Sequence, residues 1–96
     1  MKQTIIDAIS NHQVLTFTYS GIARVVEPHA VGITRNGKEM LCCFQTHGGH
    51  VTPGHEWDFC ELNKICDLKT SGAIFHDPRP GYRPGDSRMM VIFAEL

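Results

Sequence analysis

The spacing of apolar residues changes from a helical period to a strand period within the first twenty positions. Ile5 and Ile9 share one face of a helix that we expect from about Thr4 to Ser10, because side chains four residues apart lie above one another. Between Val14 and Tyr19 apolar and hydroxyl-bearing side chains alternate, which is typical of a half-buried strand. The pattern therefore predicts one helix at the start, followed by β structure.

Two-residue turn signals divide the next part of the chain into short strands. Ser20-Gly21 and Asn36-Gly37 favour tight hairpin turns. Pro28 has no N–H to give to a neighbouring strand, so we expect a strand to end, bulge or lie at a sheet edge there. The further strands predicted are residues 23–27, 30–35, 39–45, 57–59 and a segment near 64–68. The C-terminal residues 89–96 fit a strand and a short helix equally.

These elements predict a mainly β (α+β) fold in a single domain, residues 1–96, with the N-terminal helix resting on a small antiparallel barrel or a strongly bent sheet. The apolar run from Met89 to Phe93 exceeds what one sheet face can hide, so we expect it to pack on the sheet or across a homodimer interface. The residues expected in the core are Ile5, Ile9, Leu15, Phe17, Val26, Leu41, Phe44, Ile65 and Leu68.

Composition narrows the class of protein. The chain has 42% hydrophobic and 20% charged residues, as an ordinary globular domain does, and its net charge of −1 argues against non-specific duplex binding. It has no apolar run long enough to cross a membrane and no signal-peptide pattern, which predicts a cytoplasmic location. The four cysteines, Cys42, Cys43, Cys60 and Cys66, form no Cys-x-x-Cys pair and are expected to be reduced thiols.

The sequence offers little catalytic chemistry. It has no Gly-x-Ser-x-Gly elbow, phosphate-binding glycine loop or paired-carboxylate motif, and Cys42 and Cys43 lie in an apolar strand where thiols are generally inert. His47, His50 and His55 are the one candidate metal cluster, but they lie on a glycine-rich loop without the helical spacing of a zinc enzyme. We therefore predict no enzyme activity, no metal and no cofactor.

The order of the elements and several short motifs resemble the WYL domain family over about Ile5 to Leu68. Short free-standing members also share the pattern seen here as Phe44-Gln45-Thr46-His47-Gly48-Gly49, followed by a tryptophan and a Pro-Arg-Pro-Gly-Tyr loop. The other matching motifs are Ile5-x-x-Ala8-Ile9, Leu15-x-Phe17-x-Tyr19, Arg24-x-Val26-Glu27-Pro28-His29, Gly37 with Leu41, and Lys64-Ile65.

The resemblance implies an SH3-like β-barrel and a ligand-sensing or nucleic-acid-binding role, as in bacterial regulators and defence-associated proteins. The sequence departs from the family at two places. Glu39-Met40-Leu41 stands where the family has Trp-Tyr-Leu, and Lys64 stands where it has arginine, which changes a two-pronged phosphate contact into a point charge. The chain also has no helix-turn-helix.

The first candidate site combines Arg24, His29 and Lys64. Arg24 and Lys64 are predicted to hold a phosphate or another anion on one face of the sheet; the alternative is that Arg24 pairs with Glu27 or Glu39 at the surface. His29 either donates to a ligand oxygen or caps a loop carbonyl.

The second candidate site is the loop from Pro78 to Asp86, which three prolines stiffen. Arg79 and Arg83 are predicted to supply charge and Tyr82 a stacking face; the alternative is a brace with Tyr82 packed down. A second loop, Gln45 to His55, has glycines that permit close backbone approach to a ligand.

Trp57 and Phe59 share one strand face and either stack on a base or belong to the core. Together the two sites predict a regulatory module that binds a nucleotide, single-stranded nucleic acid or another anionic ligand without catalysis. The alternative function is a protein-interaction module, an accessory subunit of a larger bacterial system. A homodimer is a further candidate assembly, and no membrane contact is expected.

Overall fold

A thirteen-residue strand, β2 (Ile22–Thr34), pairs with three other strands of the sheet. A computed structural model describes residues 1–49 and 54–96, and in these the sheet is antiparallel with six strands. The other elements are α1 (Lys2–Ser10), β1 (Gln13–Tyr19), β3 (Glu39–Gly48), β4 (Trp57–Glu61), β5 (Ile65–Ile74) and β6 (Met89–Glu95), with a short 3-10 turn (Leu62–Lys64) between β4 and β5.

The strands follow the order β4-β3-β2-β1-β5, and β6 pairs with β2 as well. β1 and β6 share one edge of β2: β1 pairs with residues 22–26 and β6 with residues 30–34. The mainly β fold with one N-terminal helix is confirmed. The sheet is not closed into a barrel, because β4 and β5 end the strand order and do not pair with each other in the described residues.

Pro28 interrupts β2 without ending it. The register between β2 and β3 shifts between Pro28 and Ala30, so the strand bulges at this point and continues to Thr34. The two strands predicted on either side of the proline are therefore one strand. The bulge was one of the three outcomes expected for a proline in this position.

Both predicted hairpin turns are present. Ser20 and Gly21 have φ values of 53° and 74°, the left-handed pair that a two-residue hairpin turn requires. At the second turn Gly37 has a φ of 82°, and the amide of Thr34 donates to the carbonyl of Lys38 at 2.9 Å. These local signals set the β1–β2 and β2–β3 pairings.

The sheet buries apolar side chains on two faces. α1 covers the larger face with Ile5, Ala8 and Ile9. The other residues buried in this larger core are Leu15, Phe17, Val26, Val31, Leu41, Cys43, Cys60, Leu62 and Ile65. Of the predicted core, Phe44 and Leu68 are only half-buried.

A smaller core on the opposite face contains Ala30, Cys42 and Met89. Cys42 and Cys43 thus point to opposite faces, as neighbours on a strand must. Phe59, Tyr82 and Ile92 pack against this smaller core and are only partly buried.

The C-terminal segment is a strand. β6 packs on β2, which is one of the two outcomes expected for its apolar run, and the homodimer stays a prediction. Met89 is buried, whereas Met90 and Val91 are 64% and 48% exposed. Among the described residues, no helix combines the length and the apolar character that a membrane crossing requires.

Candidate functional site

A gap in the sheet positions the site. On the edge of β2 opposite β3, β1 ends its pairing at Val26 and β6 begins at Ala30. Residues 27–29 therefore have no strand beside them on that edge, although their backbone groups still need hydrogen-bond partners. At this gap the backbone N–H of Leu96 donates to the carbonyl of His29 at 2.9 Å, and the segment between β5 and β6, residues 75–88, contacts the side chains of Glu27 and His29. We call this segment the 75–88 loop.

Arg79 anchors the 75–88 loop. Its Nε donates to Oε1 of Glu27 at 2.7 Å and its Nη2 donates to Oε2 at 2.9 Å, a two-pronged ion pair. The guanidinium carbon also lies 4.6 Å from the centre of the Phe44 ring. The structure therefore places the predicted ligand contact Arg79 against Glu27, whose side chain is only 10% exposed.

His29 joins the loop to the strand from the inside. Its side chain is fully buried, and Nε2 accepts a hydrogen bond from the backbone N–H of Arg79 at 3.0 Å. Because an amide can only donate, Nδ1 carries the proton and donates to the carbonyl of Glu27 at 2.8 Å. This is the local-partner alternative for His29, and it leaves neither ring nitrogen directed at a ligand.

An aromatic cluster surrounds this imidazole. The ring of His29 lies 4.7 Å from Trp57, 5.0 Å from Tyr82 and 5.9 Å from Phe75. Tyr82 donates its hydroxyl to the carbonyl of His29 at 3.3 Å, and burial raises the pKa of this phenol to about 12. Trp57 and Tyr82 stack at 6.2 Å with an angle of 22° between their planes. Trp57 and Tyr82, two of the aromatic residues singled out from the sequence, thus belong to one cluster.

An open groove of about 470 Å³ runs between the 75–88 loop and β4. Its volume falls within the range of small-molecule sites. Trp57 forms part of its wall and is 36% exposed, so it is neither a fully buried core residue nor a fully exposed surface residue. The lining residues are Cys42, Trp57, Asp58, Phe59, Gly81, Tyr82, Arg83, Pro84, Gly85, Asp86, Ser87 and Arg88.

The charges that line the groove are mostly paired. Arg88 donates to Asp86 through Nε at 3.0 Å and through Nη2 at 2.6 Å, and this contact lowers the pKa of the Asp86 carboxyl. Asp58 accepts from Arg24 at 3.2 Å. Arg83 is exposed, and within residues 1–49 and 54–96 it makes no ion pair. The groove therefore presents one uncompensated cation.

Arg24 and Lys64 lie outside the groove. Arg24 is 13% exposed and binds Asp58, the side-chain oxygen of Gln45 and the carbonyl of Tyr19, so its partner is neither of the two glutamates expected. Lys64 is exposed next to Ile65, which pairs with Tyr19 at the same end of the sheet. The structure places both cations at that end, with Arg24 already engaged by protein groups.

Two of the three loop histidines, His47 and His55, lie within the described residues. His47 contacts the hydroxyl of Thr46 at 3.1 Å, and His55 is exposed. No group of three metal-ligating side chains comes together among residues 1–49 and 54–96. His50 lies outside the described residues.

The pair Asp86 and Arg88 was not assigned to the site from the sequence. Arg88 covers a groove aromatic, with its guanidinium carbon 3.8 Å from the centre of the Phe59 ring. Two opposite charges two residues apart, just after a proline-rich loop, are a weak signal. Only the fold shows that Arg88 covers Phe59 on β4.

Burial of His29 predicts a pH dependence of stability. Burial lowers the pKa of His29 below its ordinary value of 6.5, and it outweighs the opposing effects of the Glu27 carbonyl and carboxylate. Below pH 6.5 the unfolded chain therefore binds more protons than the folded chain at this position. We expect the free energy of unfolding to fall as the pH drops below 6.5, by at most about 1.4 kcal/mol per pH unit.

Urea unfolding between pH 7.5 and 5 measures this slope. His29→Asn is the matched variant, since asparagine does not titrate in this window. The part of the slope that disappears in the variant belongs to His29, and equal slopes in both proteins would show that His29 is protonated as readily in the folded state as in the unfolded state.

No protein-family model, curated protein or solved structure matches the chain.

Proposed function

We propose that this chain is a non-catalytic binding module for a nucleotide or another planar anionic ligand, held in the groove between the 75–88 loop and β4. The observation that carries the proposal is the convergence of Trp57, Tyr82 and the unneutralised Arg83 on one groove. Aromatic faces stack on nucleobases, contributing about 1–3 kcal/mol per base, and a guanidinium binds phosphate through two donors.

The groove wall is held in place before any ligand arrives. Arg79, Tyr82 and His29 fasten the 75–88 loop to β2, and the amide of Gly85 donates to the carboxylate of Glu95 at 2.8 Å. Three prolines restrict the loop further. A wall that is already ordered loses little entropy on binding, which supports a ligand site.

Burial of the Cys42 thiol supports binding without chemistry. Cys42 is the cysteine that lines the groove in the described residues, and burial raises its pKa. A thiol with a raised pKa is a poor nucleophile at neutral pH. Cys42 is accordingly proposed as part of the apolar groove floor.

The proposal extends to the family and the cell compartment. We propose an SH3-like arrangement and a WYL-like regulatory role in a bacterial cytoplasm, as the motif resemblance implies. The bulge of β2 at Pro28, with β1 and β6 sharing one edge of that strand, supports a barrel-like fold. The four free cysteines are consistent with a reducing compartment.

The rival function is a protein-interaction module. Met90 and Val91 are exposed neighbours on β6, and in the described residues β6 pairs with β2 alone. An open strand edge with apolar side chains is a natural place for another chain to add. Salt separates the two functions, because phosphate contacts weaken as salt rises and an apolar interface does not.

A fluorescence titration tests the proposed function. Trp57 is the single tryptophan of the chain, so its emission reports on the groove without a label. We expect saturable quenching by one or more nucleoside 5′-monophosphates at low salt, weakening between 50 mM and 200 mM salt. No change with any of them at millimolar concentration, while the chain stays folded, would reject nucleotide binding in this groove.

A further inference from the structure

We infer that the groove holds a single nucleotide unit, one base and one phosphate, and not a run of a nucleic acid strand. This inference rests on the proposed function and adds the size and charge of the ligand. It follows from the charges that line the groove and from the number of ring faces that it leaves open.

The charge of the groove suits one phosphate. Asp86 neutralises Arg88, and Asp58 neutralises Arg24. Of the charged side chains that line the groove in the described residues, Arg83 alone makes no ion pair. A strand of several phosphates needs several cations, because each neutralised phosphate contributes separately to binding. The one unpaired guanidinium, that of Arg83, can therefore bind one phosphate.

The aromatic surface suits one base. Trp57 and Tyr82 are 6.2 Å apart, which is less than the roughly 7 Å that two stacking distances of about 3.5 Å require, so a base rests against the pair and does not slide between its members. The third groove aromatic, Phe59, is covered by the guanidinium of Arg88 at 3.8 Å. The aromatic surface formed by Trp57 and Tyr82 is therefore open to a base, whereas the Phe59 ring is already covered by Arg88.

A ligand-length series tests the inference. The probes are a nucleoside, its 5′-monophosphate and the five-nucleotide homo-oligomer, all with the base that quenches Trp57 most strongly. We expect the monophosphate to bind about tenfold more tightly than the nucleoside. The oligomer should gain no more than the roughly fivefold advantage of carrying five equivalent units. For the oligomer, the logarithm of affinity should fall with the logarithm of salt concentration with a slope of about 0.7, the value for one contacted phosphate of a single strand.

Asp86→Asn makes the inference sharper, because it releases Arg88 from its ion pair and uncovers a second cation. In this variant we expect the salt slope to rise by about 0.7 and the oligomer to gain over the monophosphate. Arg35→Ala is the matched control. Arg35 is exposed in the turn between β2 and β3, outside the groove, so its loss should leave affinity and slope unchanged.

The outcomes separate the two proposals. Binding of the oligomer more than tenfold tighter than the monophosphate, with a slope of about 1.4 or more, would overturn the inference and leave the proposed function standing. Absence of binding by all three probes would reject nucleotide binding itself, which is the part of the proposed function on which the inference rests. Should Asp86→Asn fail to fold, Arg83→Ala decides: the inference requires the monophosphate to bind no better than the nucleoside in that variant.

Discussion

Replacing His29 with alanine is expected to lower the free energy of unfolding by about 3–5 kcal/mol, the range of large core truncations. The imidazole is fully buried among aromatic rings, so its removal leaves a cavity. It also leaves the Arg79 amide without its acceptor and the Glu27 carbonyl without its donor. Each unsatisfied buried group costs about 1–3 kcal/mol.

Urea unfolding followed by Trp57 emission measures the loss. His29→Asn is the matched variant, because its amide can still donate to the Glu27 carbonyl but is too short to reach the Arg79 amide. We expect an intermediate stability, with fast hydrogen exchange at Arg79 in both variants. A loss below 1 kcal/mol in His29→Ala, with the Arg79 amide still protected, would show that His29 does not fasten the loop.

The second large effect distinguishes Arg79 from Arg83, for which the sequence predicts the same role. Arg79→Ala is expected to cost about 2–3 kcal/mol of stability, because it leaves the mostly buried carboxylate of Glu27 without its partner. Arg83→Ala should change stability by no more than about 0.5 kcal/mol, as exposed sites do, while weakening nucleotide binding about tenfold.

Urea unfolding and Trp57 titration on the same two variants measure both effects. Affinity is compared where each variant is fully folded, and there Arg79→Ala should bind within about threefold of the parent chain. The account is contradicted if Arg83→Ala destabilises the chain as strongly as Arg79→Ala and leaves the affinity unchanged, since Arg83 would then belong to the brace.

Local signals in the sequence predicted the elements of this fold well. The four-residue spacing of Ile5 and Ile9 places the helix, although α1 begins two residues before the predicted start. Asn36-Gly37 places a hairpin because few residues other than glycine tolerate its backbone. The alternation along β1 identifies Leu15 and Phe17 as core, because only one face of that strand meets the helix.

The candidate site depends on contacts that no local pattern contains. Arg79 meets Glu27 across 52 residues, and Arg24 meets Asp58 across 34. Only the strand order and the packing of the 75–88 loop bring these distant parts of the chain together. The sequence therefore allows the 78–86 loop to be predicted as a candidate site, with Tyr82 and Arg83 as candidate contacts. It does not predict that Arg79 binds Glu27.

The same reason explains the two interpretations of His29. A histidine after a proline in a strand is compatible with a ligand contact and with a local cap. The choice is made by the bulge at Pro28 and by the arrival of the Arg79 amide, which is 50 residues away.

Nuclear magnetic resonance titration of the labelled chain with a nucleoside 5′-monophosphate tests the central claim most directly, because it locates the ligand residue by residue. We expect saturable chemical-shift changes at the Trp57 indole N–H, the Tyr82 ring and the Arg83 guanidinium. The signals of Lys64 and Arg35 should not move. Shifts confined to Lys64 and its neighbours, or no shifts at millimolar ligand, would contradict binding in the groove.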